Sequence, residues 1–355
     1  MNITEYAMYK KLFGGGTGGN TGGGGNTGGD DGWIGDGNTH IWISLAEGRT
    51  SPMLGCCPNG TVTVDWGDGT APDVLTGTST STLVYTPNHE YAKAGDYVIT
   101  LTVDGEMGFG GQKGNANGSY MLRYAQTEDN RNAAYLNALC KIEISSGVTA
   151  IGDYAFYGCR GLSSIIIPDG VTYIGDSAFY SCSSLSSIVI PDGVTRVEKY
   201  AFYSCYSLSS IVIPDGVTYI DDGVFSYCYS LKSIIIPDGV TYIGNNAFSN
   251  CYSLKSIIIP DGVTSIYPNA FSNCYSLSSI IILDGVTYIG NSAFSYCYSS
   301  RHYDFTRHTA VPTLSGTNAF NNIPDDCEIR VPAALYDEWI AATNWATYAS
   351  YIKAV

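Results

Sequence analysis

The chain has 355 residues, of which 45% are hydrophobic, and it carries a net charge of −15 at pH 7. This length allows two or three domains, and the apolar content is sufficient for buried cores. The acidic balance argues against nucleic acid and anionic membranes as partners, because the chain and phosphate groups repel each other. No stretch approaches the roughly 18 apolar residues of a membrane-spanning helix, so we predict no membrane insertion.

The first 32 residues divide into a short N-terminal segment and a glycine-rich linker. Residues 1–13 contain no apolar core of the kind found in secretory signals, so we predict no signal peptide. A helix over this segment would be only marginally stable alone, which is compatible with either a peptide that docks onto a parent assembly or a disordered terminus. Residues 14–32 are mostly Gly, Thr and Asn, a composition typical of a flexible tether. The opening residues 2–12, followed by glycines, resemble the starts of repeat proteins that are encoded with phage tail genes.

Residues 36–104 have the strand and turn pattern of a small β-sandwich. Residues 61–66 alternate like a strand and lead into a Trp-Gly-Asp-Gly turn, and residues 95–103 form a second alternating strand. The Trp-Gly-Asp-Gly turn, together with His89-x-Tyr91 and the later strand, resembles the PKD family, which implies an immunoglobulin-like β-sandwich. Residues 105–135 are predicted to connect this domain to the next.

Residues 136–299 consist of repeats of 23 residues, which seven cysteines mark at constant spacing. In the unit that contains Ile234 and Ile236, these two residues have strand spacing and are predicted to point inward. A Pro-Asp-Gly turn, a second short strand and an irregular return through Ala-Phe and Cys complete the unit. One such unit cannot bury its own apolar face, whereas stacked units share a continuous core. The sequence therefore predicts a mainly β solenoid of seven coils.

The repeats resemble a known family of bacterial surface proteins. The pattern Ile-x-Ile-Pro-Asp-Gly-Val-Thr-x-Ile-Gly-x-x-Ala-Phe-x-x-Cys is similar to the BspA-like leucine-rich repeats, whose members are implied to act in adhesion and recognition without catalytic residues. A solenoid needs a cap at each end. Residues 133–139 are a candidate N-terminal capping helix, and residues 300–355, with an amphipathic helix at 333–342, look like the terminal cap of that family.

Catalytic and metal-binding patterns are missing from the sequence. His302 and His308 match no zinc spacing, and the aspartates of the Trp-Gly-Asp-Gly region fit turns better than a calcium loop. No phosphate-binding loop or nucleophile motif is present. We predict no enzyme activity, no cofactor and no metal site. The seven repeat cysteines are interpreted as buried free thiols, because side chains in register along a solenoid point along one another rather than at one another.

Tyrosine columns are the most suggestive candidate binding feature. Two repeat positions that do not belong to the predicted core carry tyrosine in several coils, the first at Tyr206, Tyr229, Tyr252, Tyr275 and Tyr298, and the second at Tyr173, Tyr219, Tyr242 and Tyr288. Tyrosine combines a large apolar ring with a polar tip, which suits recognition, but it also stabilises ladders by stacking. A third column of β-branched residues is predicted to face outward, at Ile166, Val189, Val212, Ile235, Ile258 and Ile281.

The sequence thus predicts a non-catalytic recognition or adhesion protein. It would be displayed on a phage virion, in a tail or appendage, or on a bacterial cell surface, and would bind a protein or glycan of a host or neighbouring cell through the solenoid. The free cysteines favour a virion, which assembles in a reducing compartment. Two alternatives remain open at this stage: a structural spacer or decoration protein without a ligand, and an accessory binding region of a glycan-active enzyme.

Overall fold

The computed structural model describes residues 36–46, 51–79, 84–110 and 138–355, and the backbone of residues 122–124. Of its two compact units, Met1–Asp36 lies almost entirely outside these ranges, so the predicted docking peptide and linker are not described. The second unit is Gly37–Val355.

The N-terminal part of this unit is built from antiparallel strands around one long central strand. In chain order the strands are β1 (Thr39–Leu45), β2 (Pro52–Asp65), β3 (Asp73–Thr78), β4 (Val84–Tyr85), β5 (Gly95–Phe109) and β6 (Leu122–Tyr124). The central strand is β2, which pairs with β3, β4, β5 and β6, and β1 pairs with β5. Trp66 is fully buried, and its indole N–H donates to Asp73 while its carbonyl accepts a hydrogen bond from the Tyr91 hydroxyl. The Trp-Gly-Asp-Gly turn therefore stabilises this core, whereas the assignment to the PKD family remains a prediction.

Strands β1 to β6, here called the β-domain, pair directly with the first strands of the solenoid. Strand β1 pairs with β7 (Leu139–Glu143), the first strand of one solenoid sheet, and the end of β5 pairs with β8 (Val148–Ile151), the first strand of the other. Exposed strand edges are sites of aggregation, and solenoids need caps. The β-domain supplies this N-terminal cap. Most of the predicted capping helix at 133–139 lies outside the described residues, and Leu139 itself begins β7.

Two series of short parallel strands run along the solenoid, which has about nine turns with a spacing of about 23 residues. Each series is called a sheet below, although its hydrogen bonding is not continuous. Besides β7, the first sheet contains β9 (Ser164–Ile166), β11 (Ser187–Val189), β13 (Ser210–Val212), β15 (Ser256–Ile259), β17 (Ser279–Ile282), β19 (His302–Asp304), β21 (Glu328–Val331) and β22 (Ile352–Ala354). Besides β8, the second contains β10 (Tyr173–Ile174), β12 (Arg196–Val197), β14 (Tyr242–Ile243), β16 (Ser265–Ile266), β18 (Tyr288–Ile289) and β20 (Thr313–Leu314). The predicted mainly β solenoid is confirmed.

The interior consists of ladders of identical side chains. Ile234 and Ile236 are buried, as predicted for the inward strand positions. The repeat phenylalanines stack along the axis with ring centroids 5.1–5.7 Å apart. All seven repeat cysteines are buried free thiols, and the Sγ of Cys205, for example, donates to the carbonyl of Phe179 in the preceding coil at 3.2 Å. The prediction of unpaired, buried cysteines is therefore consistent with this geometry.

A third face, here called the turn face, joins the second sheet back to the first. In each coil it runs from five residues before the cysteine to one residue after it. Two of its positions, five and one before the cysteine, have left-handed backbone, with φ of 57° at Tyr200 and 61° at Tyr227. This conformation costs a residue other than glycine roughly 1–2 kcal/mol. It also aims N–H groups at the next coil, and Phe202 at the intervening position donates to Val224 at 3.0 Å. The turn face thus forms a third ladder of hydrogen bonds between coils.

The second sheet is interrupted at one place. The residue after the inward isoleucine normally donates to the preceding coil, as Gly244 does to Ile220 at 2.7 Å. A Cβ on Gly244 would lie 2.7 Å from the backbone of Asp221, so glycine permits this approach. Glu198 and Tyr267, which hold the same repeat position, also donate to the preceding coil, at 3.0 and 2.8 Å, whereas among the described residues no backbone hydrogen bond joins Asp221 to Val197. The strand pairing is therefore interrupted between Val197 and Asp221, and glycine alone does not decide where this hydrogen bond forms.

The C-terminal end is closed by a helical cap. A 3-10 helix (Ala333–Leu335), helix α1 (Tyr336–Ala341) and a second 3-10 helix (Trp345–Tyr348) precede β22. The indole N–H of Trp345 donates to the carbonyl of Pro312, and the Asn344 amide donates to that of Leu314. These side chains satisfy carbonyls beside the last strand of the second sheet, β20, as a cap must.

Candidate functional site

The first tyrosine column forms a continuous row along the turn face. Each ring follows the inward cysteine and stacks on the ring of the next coil. From Tyr206 to Tyr298 the centroids are 4.9, 4.6, 4.6 and 5.4 Å apart, and the interplanar angles are 5°, 8°, 5° and 29°. Tyr206, Tyr275 and Tyr298 are 42%, 39% and 54% exposed, and Tyr229 and Tyr252 are partly buried. This row, Tyr206, Tyr229, Tyr252, Tyr275 and Tyr298, is called the tyrosine row below.

Stacking decides which atoms of the row face solvent. The ring faces of Tyr229, Tyr252 and Tyr275 are covered on both sides by neighbouring rings. Their ring edges and hydroxyl groups are therefore the parts left for a partner, and a flat ligand can stack only at an end of the row. The surface is thus a ladder of hydroxyls rather than an aromatic platform.

Burial raises the pKa of Tyr229, Tyr252 and Tyr275, with a further contribution from the phenols beside each of them. An ordinary tyrosine is already uncharged at neutral pH, so these three hydroxyls are neutral, and that of Tyr252 is hydrogen-bonded to those of Tyr229 and Tyr275. The row offers one neutral polar group per coil.

Further tyrosines extend this row toward the N-terminal coils. The rings of Tyr157, Tyr180 and Tyr203 stack at 4.7 and 4.6 Å, two positions before the cysteine. Tyr227 lies 5.1 Å from Tyr203 and 6.0 Å from Tyr229, and so connects the two columns. Sequence reasoning did not identify these residues because they occupy other repeat positions.

The turn face carries no charged side chain over its four C-terminal coils. The residues around the cysteines read Ser-Tyr-Cys-Tyr-Ser at 226–230 and 295–299, and Ser-Asn-Cys-Tyr-Ser at 249–253 and 272–276. Tyrosine with serine and asparagine is the composition of antibody binding loops, in which Tyr gives rigid contact area and the small polar residues give adaptable hydrogen bonds. This face is chemically suited to recognition without charge.

The second tyrosine column lies on the outer face of the second sheet, away from the row. Tyr219 stacks on Tyr242 at 5.5 Å, but its hydroxyl accepts a hydrogen bond from Arg196. The Tyr173 hydroxyl donates to Asp153. Among the described residues no ring contact joins this column to the tyrosine row. The structure therefore does not bring the two predicted columns into one site.

Other candidate positions have structural partners. Asp68 accepts hydrogen bonds from Thr70 and contacts His89 at 2.9 Å, which is the arrangement of a stabilised turn. The described residues contain no group of three or more His, Cys, Asp or Glu side chains placed to hold a metal ion. The β-branched column is exposed at its N-terminal end, with Val189 at 78%.

The fold and this surface define a capped repeat solenoid with an uncharged, tyrosine-lined face. The repeats match the model of the BspA type leucine-rich repeat region, with six copies over residues 130–251 and 218–336. These ranges cover more than half of the chain, so it belongs to the BspA-type leucine-rich repeat family. Proteins of this family have binding or surface-adhesion roles in general, are generally non-enzymatic and are typically displayed on surfaces.

Several solved structures are similar to this chain. A leucine-rich repeat protein of T. pallidum shares 32% identity with a TM-score of 0.42, over 45% of this chain and 77% of that one. A leucine-rich repeat protein from Bacteroides ovatus shares 23% identity with a TM-score of 0.48, over 76% of this chain and 69% of that one. A leucine rich cell surface protein from Faecalibacterium prausnitzii shares 29% identity with a TM-score of 0.35, over 53% and 64% of the two chains. A comparison with curated proteins gives no match. In the part of the chain that the structure describes, no helix has the length and apolar character needed to cross a membrane.

Proposed function

We propose that this protein is a non-catalytic recognition or adhesion protein that binds a surface protein or glycan of a host or neighbouring cell through the tyrosine row. The observation that supports this is the row itself: five stacked tyrosines, partly exposed, on a face without charge. A stacked ring has little rotational freedom left to lose, so hydrogen bonds to its hydroxyl cost little additional entropy.

The proposed location is a phage virion, in a tail or appendage, or a bacterial cell surface. Eleven free cysteines fit assembly in a reducing compartment, which favours the virion. In this proposal Met1–Phe13 docks onto the parent assembly and the glycine-rich linker separates it from the solenoid.

One observation favours a purely structural role instead. The near-parallel stacking of the tyrosine row is the geometry expected of rings that stabilise neighbouring coils. In that case the protein would be a spacer or decoration protein, and removing the row would lower stability without changing any binding.

A surface-exchange experiment distinguishes the two roles. The full chain is compared with a variant in which Tyr229, Tyr252 and Tyr275 are changed to Ser, by flow cytometry on a panel of whole bacterial and mammalian cells. A control carries Val189→Thr and Val212→Thr on the outer face of the first sheet, where both side chains are exposed. We expect at least a tenfold loss of cell binding for the first variant and under twofold for the control, with both variants folded by circular dichroism. Equal cell binding by all three proteins would reject the tyrosine row as the binding surface, and absence of cell binding by the full chain would leave the spacer role.

A further inference from the structure

We infer that the partner of the tyrosine row is a linear, neutral, 1,4-linked glycan, an inference that rests on the recognition role proposed above. Three observations on the same surface lead to it: the spacing of the row, its lack of charge and the atoms that it exposes.

The spacing of the row is uniform over several coils. Successive rings are 4.6–5.4 Å apart from Tyr206 to Tyr298 because each occupies the same position of a coil. A ligand that contacts every hydroxyl must therefore be a polymer with a repeat of similar length. A compact ligand can contact only one or two of the five tyrosines.

An extended polypeptide does not fit this spacing. Side chains on one face of a β-strand repeat every ~6.6–6.8 Å. A peptide along the row would gain more than about 1 Å of mismatch per coil and lose register within three or four coils. In contrast, carbon–carbon bonds of about 1.5 Å give one pyranose of an extended 1,4-linked chain an advance of roughly 5 Å. The row is therefore commensurate with a sugar chain, at one sugar per coil.

The charge of the surface selects a neutral chain. The four five-residue segments centred on the cysteines, 226–230, 249–253, 272–276 and 295–299, contain only Ser, Tyr, Asn and Cys. The whole chain has a net charge of −15, which lowers the local concentration of polyanions. Lys232 and Lys255 each lie three residues after a tyrosine of the row in the sequence. The residues at the same position of the neighbouring coils are Ser209 and Ser278, so these cations are not a regular feature of the repeat.

The exposed atoms have the chemistry that a sugar chain needs. The central phenols are neutral at pH 7 and are hydrogen-bonded to one another, and the remaining hydrogen-bonding capacity of each hydroxyl can serve a hydroxyl-rich ligand. Their ring faces are occupied by one another, so contact is along the edges, with hydrogen bonds from Tyr to sugar hydroxyls. The binding energy is then distributed over the row and depends on how many coils the ligand spans.

Titration calorimetry of the full chain with 1,4-linked hexose oligosaccharides of two to seven units tests this inference. We expect affinity to rise with each sugar up to about five units, the number of tyrosines in the row, and then to level off. Tyr252→Phe, which removes only a hydroxyl, should weaken binding of the pentasaccharide at least fivefold. The double variant Lys232→Ser and Lys255→Ser copies the neighbouring coils and should leave the affinity within twofold.

Three outcomes would overturn the inference. Affinity that does not change with the length of the oligosaccharide would show that successive sugars do not contact successive tyrosines. Preference for a 1,4-linked polyuronate, lost in the double lysine variant or at high salt, would move recognition to Lys232 and Lys255. Absence of oligosaccharide binding, while the full chain still binds cells through its tyrosine row, would reject the glycan but leave the recognition role in place. If the row variants bind cells as well as the full chain does, the recognition role itself fails.

Discussion

Replacement of Gly244 by alanine tests why the coils can approach one another on the second sheet. A Cβ there would lie 2.7 Å from two backbone atoms, the Asp221 carbonyl carbon and the Asp222 nitrogen. Real Cβ atoms do not come this close to backbone, so the two coils must shift apart at this contact, which strains the hydrogen bond from Gly244 to Ile220. One coil earlier, at Asp221, the equivalent backbone hydrogen bond is already missing among the described residues.

The magnitude follows from three contributions. Loss of one backbone hydrogen bond costs about 1 kcal/mol. Overpacking of a close contact costs typically ~1–3 kcal/mol. The lower entropy of alanine in the unfolded chain returns roughly 0.4–1 kcal/mol. The net expectation is a loss of about 2 kcal/mol, which corresponds to a decrease in Tm of roughly 3 °C for a unit of this size.

A control lies in the same coil. A Cβ on Gly239 would meet its nearest atom, the Asp215 carbonyl oxygen, at an ordinary 3.6 Å. Gly239→Ala should therefore leave Tm unchanged or raise it slightly. Thermal unfolding followed by circular dichroism compares the two variants. Equal Tm values for Gly244→Ala and Gly239→Ala would refute the argument that close approach requires glycine at Gly244.

Two other predictions concern titratable groups. Burial raises the pKa of the seven repeat thiols, to about 12 for Cys159 and Cys297. These thiols should therefore react with a thiol reagent slowly in the native protein and rapidly after denaturation. Rapid labelling of all seven in the native state would contradict their burial. Burial between Phe305 and Trp339 lowers the pKa of His308, although Asp284 and Asp304 act in the opposite direction. Its ordinary pKa is about 6.5, so as the pH falls below that value the unfolded chain takes up a proton that the folded chain does not, and stability is lost. The decrease in Tm between pH 7.5 and 5.5 should be smaller in His308→Leu, and an equal decrease in both proteins would show that His308 does not contribute.

The core of the solenoid could be predicted from the sequence because each repeat position recurs in several coils, so its preference for an apolar residue is visible several times. Ile234 and Ile236 alternate with strand spacing, and their equivalents recur in coil after coil, so burial of this set follows from the pattern. The cysteine spacing identified an inward ladder for the same reason.

Other features could not be predicted because they depend on contacts between distant residues or on backbone conformation. The left-handed positions of the turn face contain Tyr200 and Tyr227 as well as Gly and Asn, so no glycine pattern marks them. The pairing of β5 with β8 joins segments separated by the long connector, and composition does not indicate it. This joint also means that a solenoid fragment should retain the β-domain, since its removal would expose the first strand of both sheets.

For the candidate site, the sequence predicted which tyrosines occupy one column and that they are partly exposed. It left open whether these tyrosines serve recognition or stack into a ladder, and the observed face-to-face stacking depends on side-chain rotamers and on the distance between coils. It also grouped Tyr219 and Tyr242 with the row, although the outer face of the second sheet separates them from it.

The central claim is that the tyrosine row binds a partner along its length, and the comparison of Tyr252→Ala with Tyr298→Ala tests it most directly. Tyr252 contacts rings on both sides, whereas Tyr298 lies at the end of the row. Central contacts of an interface commonly contribute ~2 kcal/mol or more, which is a change in affinity of roughly thirtyfold. We expect half-maximal cell binding of the full chain to shift by at least tenfold for Tyr252→Ala and by less than threefold for Tyr298→Ala, with little change in Tm for either. Unchanged binding by Tyr252→Ala, together with a large decrease in its Tm, would contradict the claim and show that the row is structural.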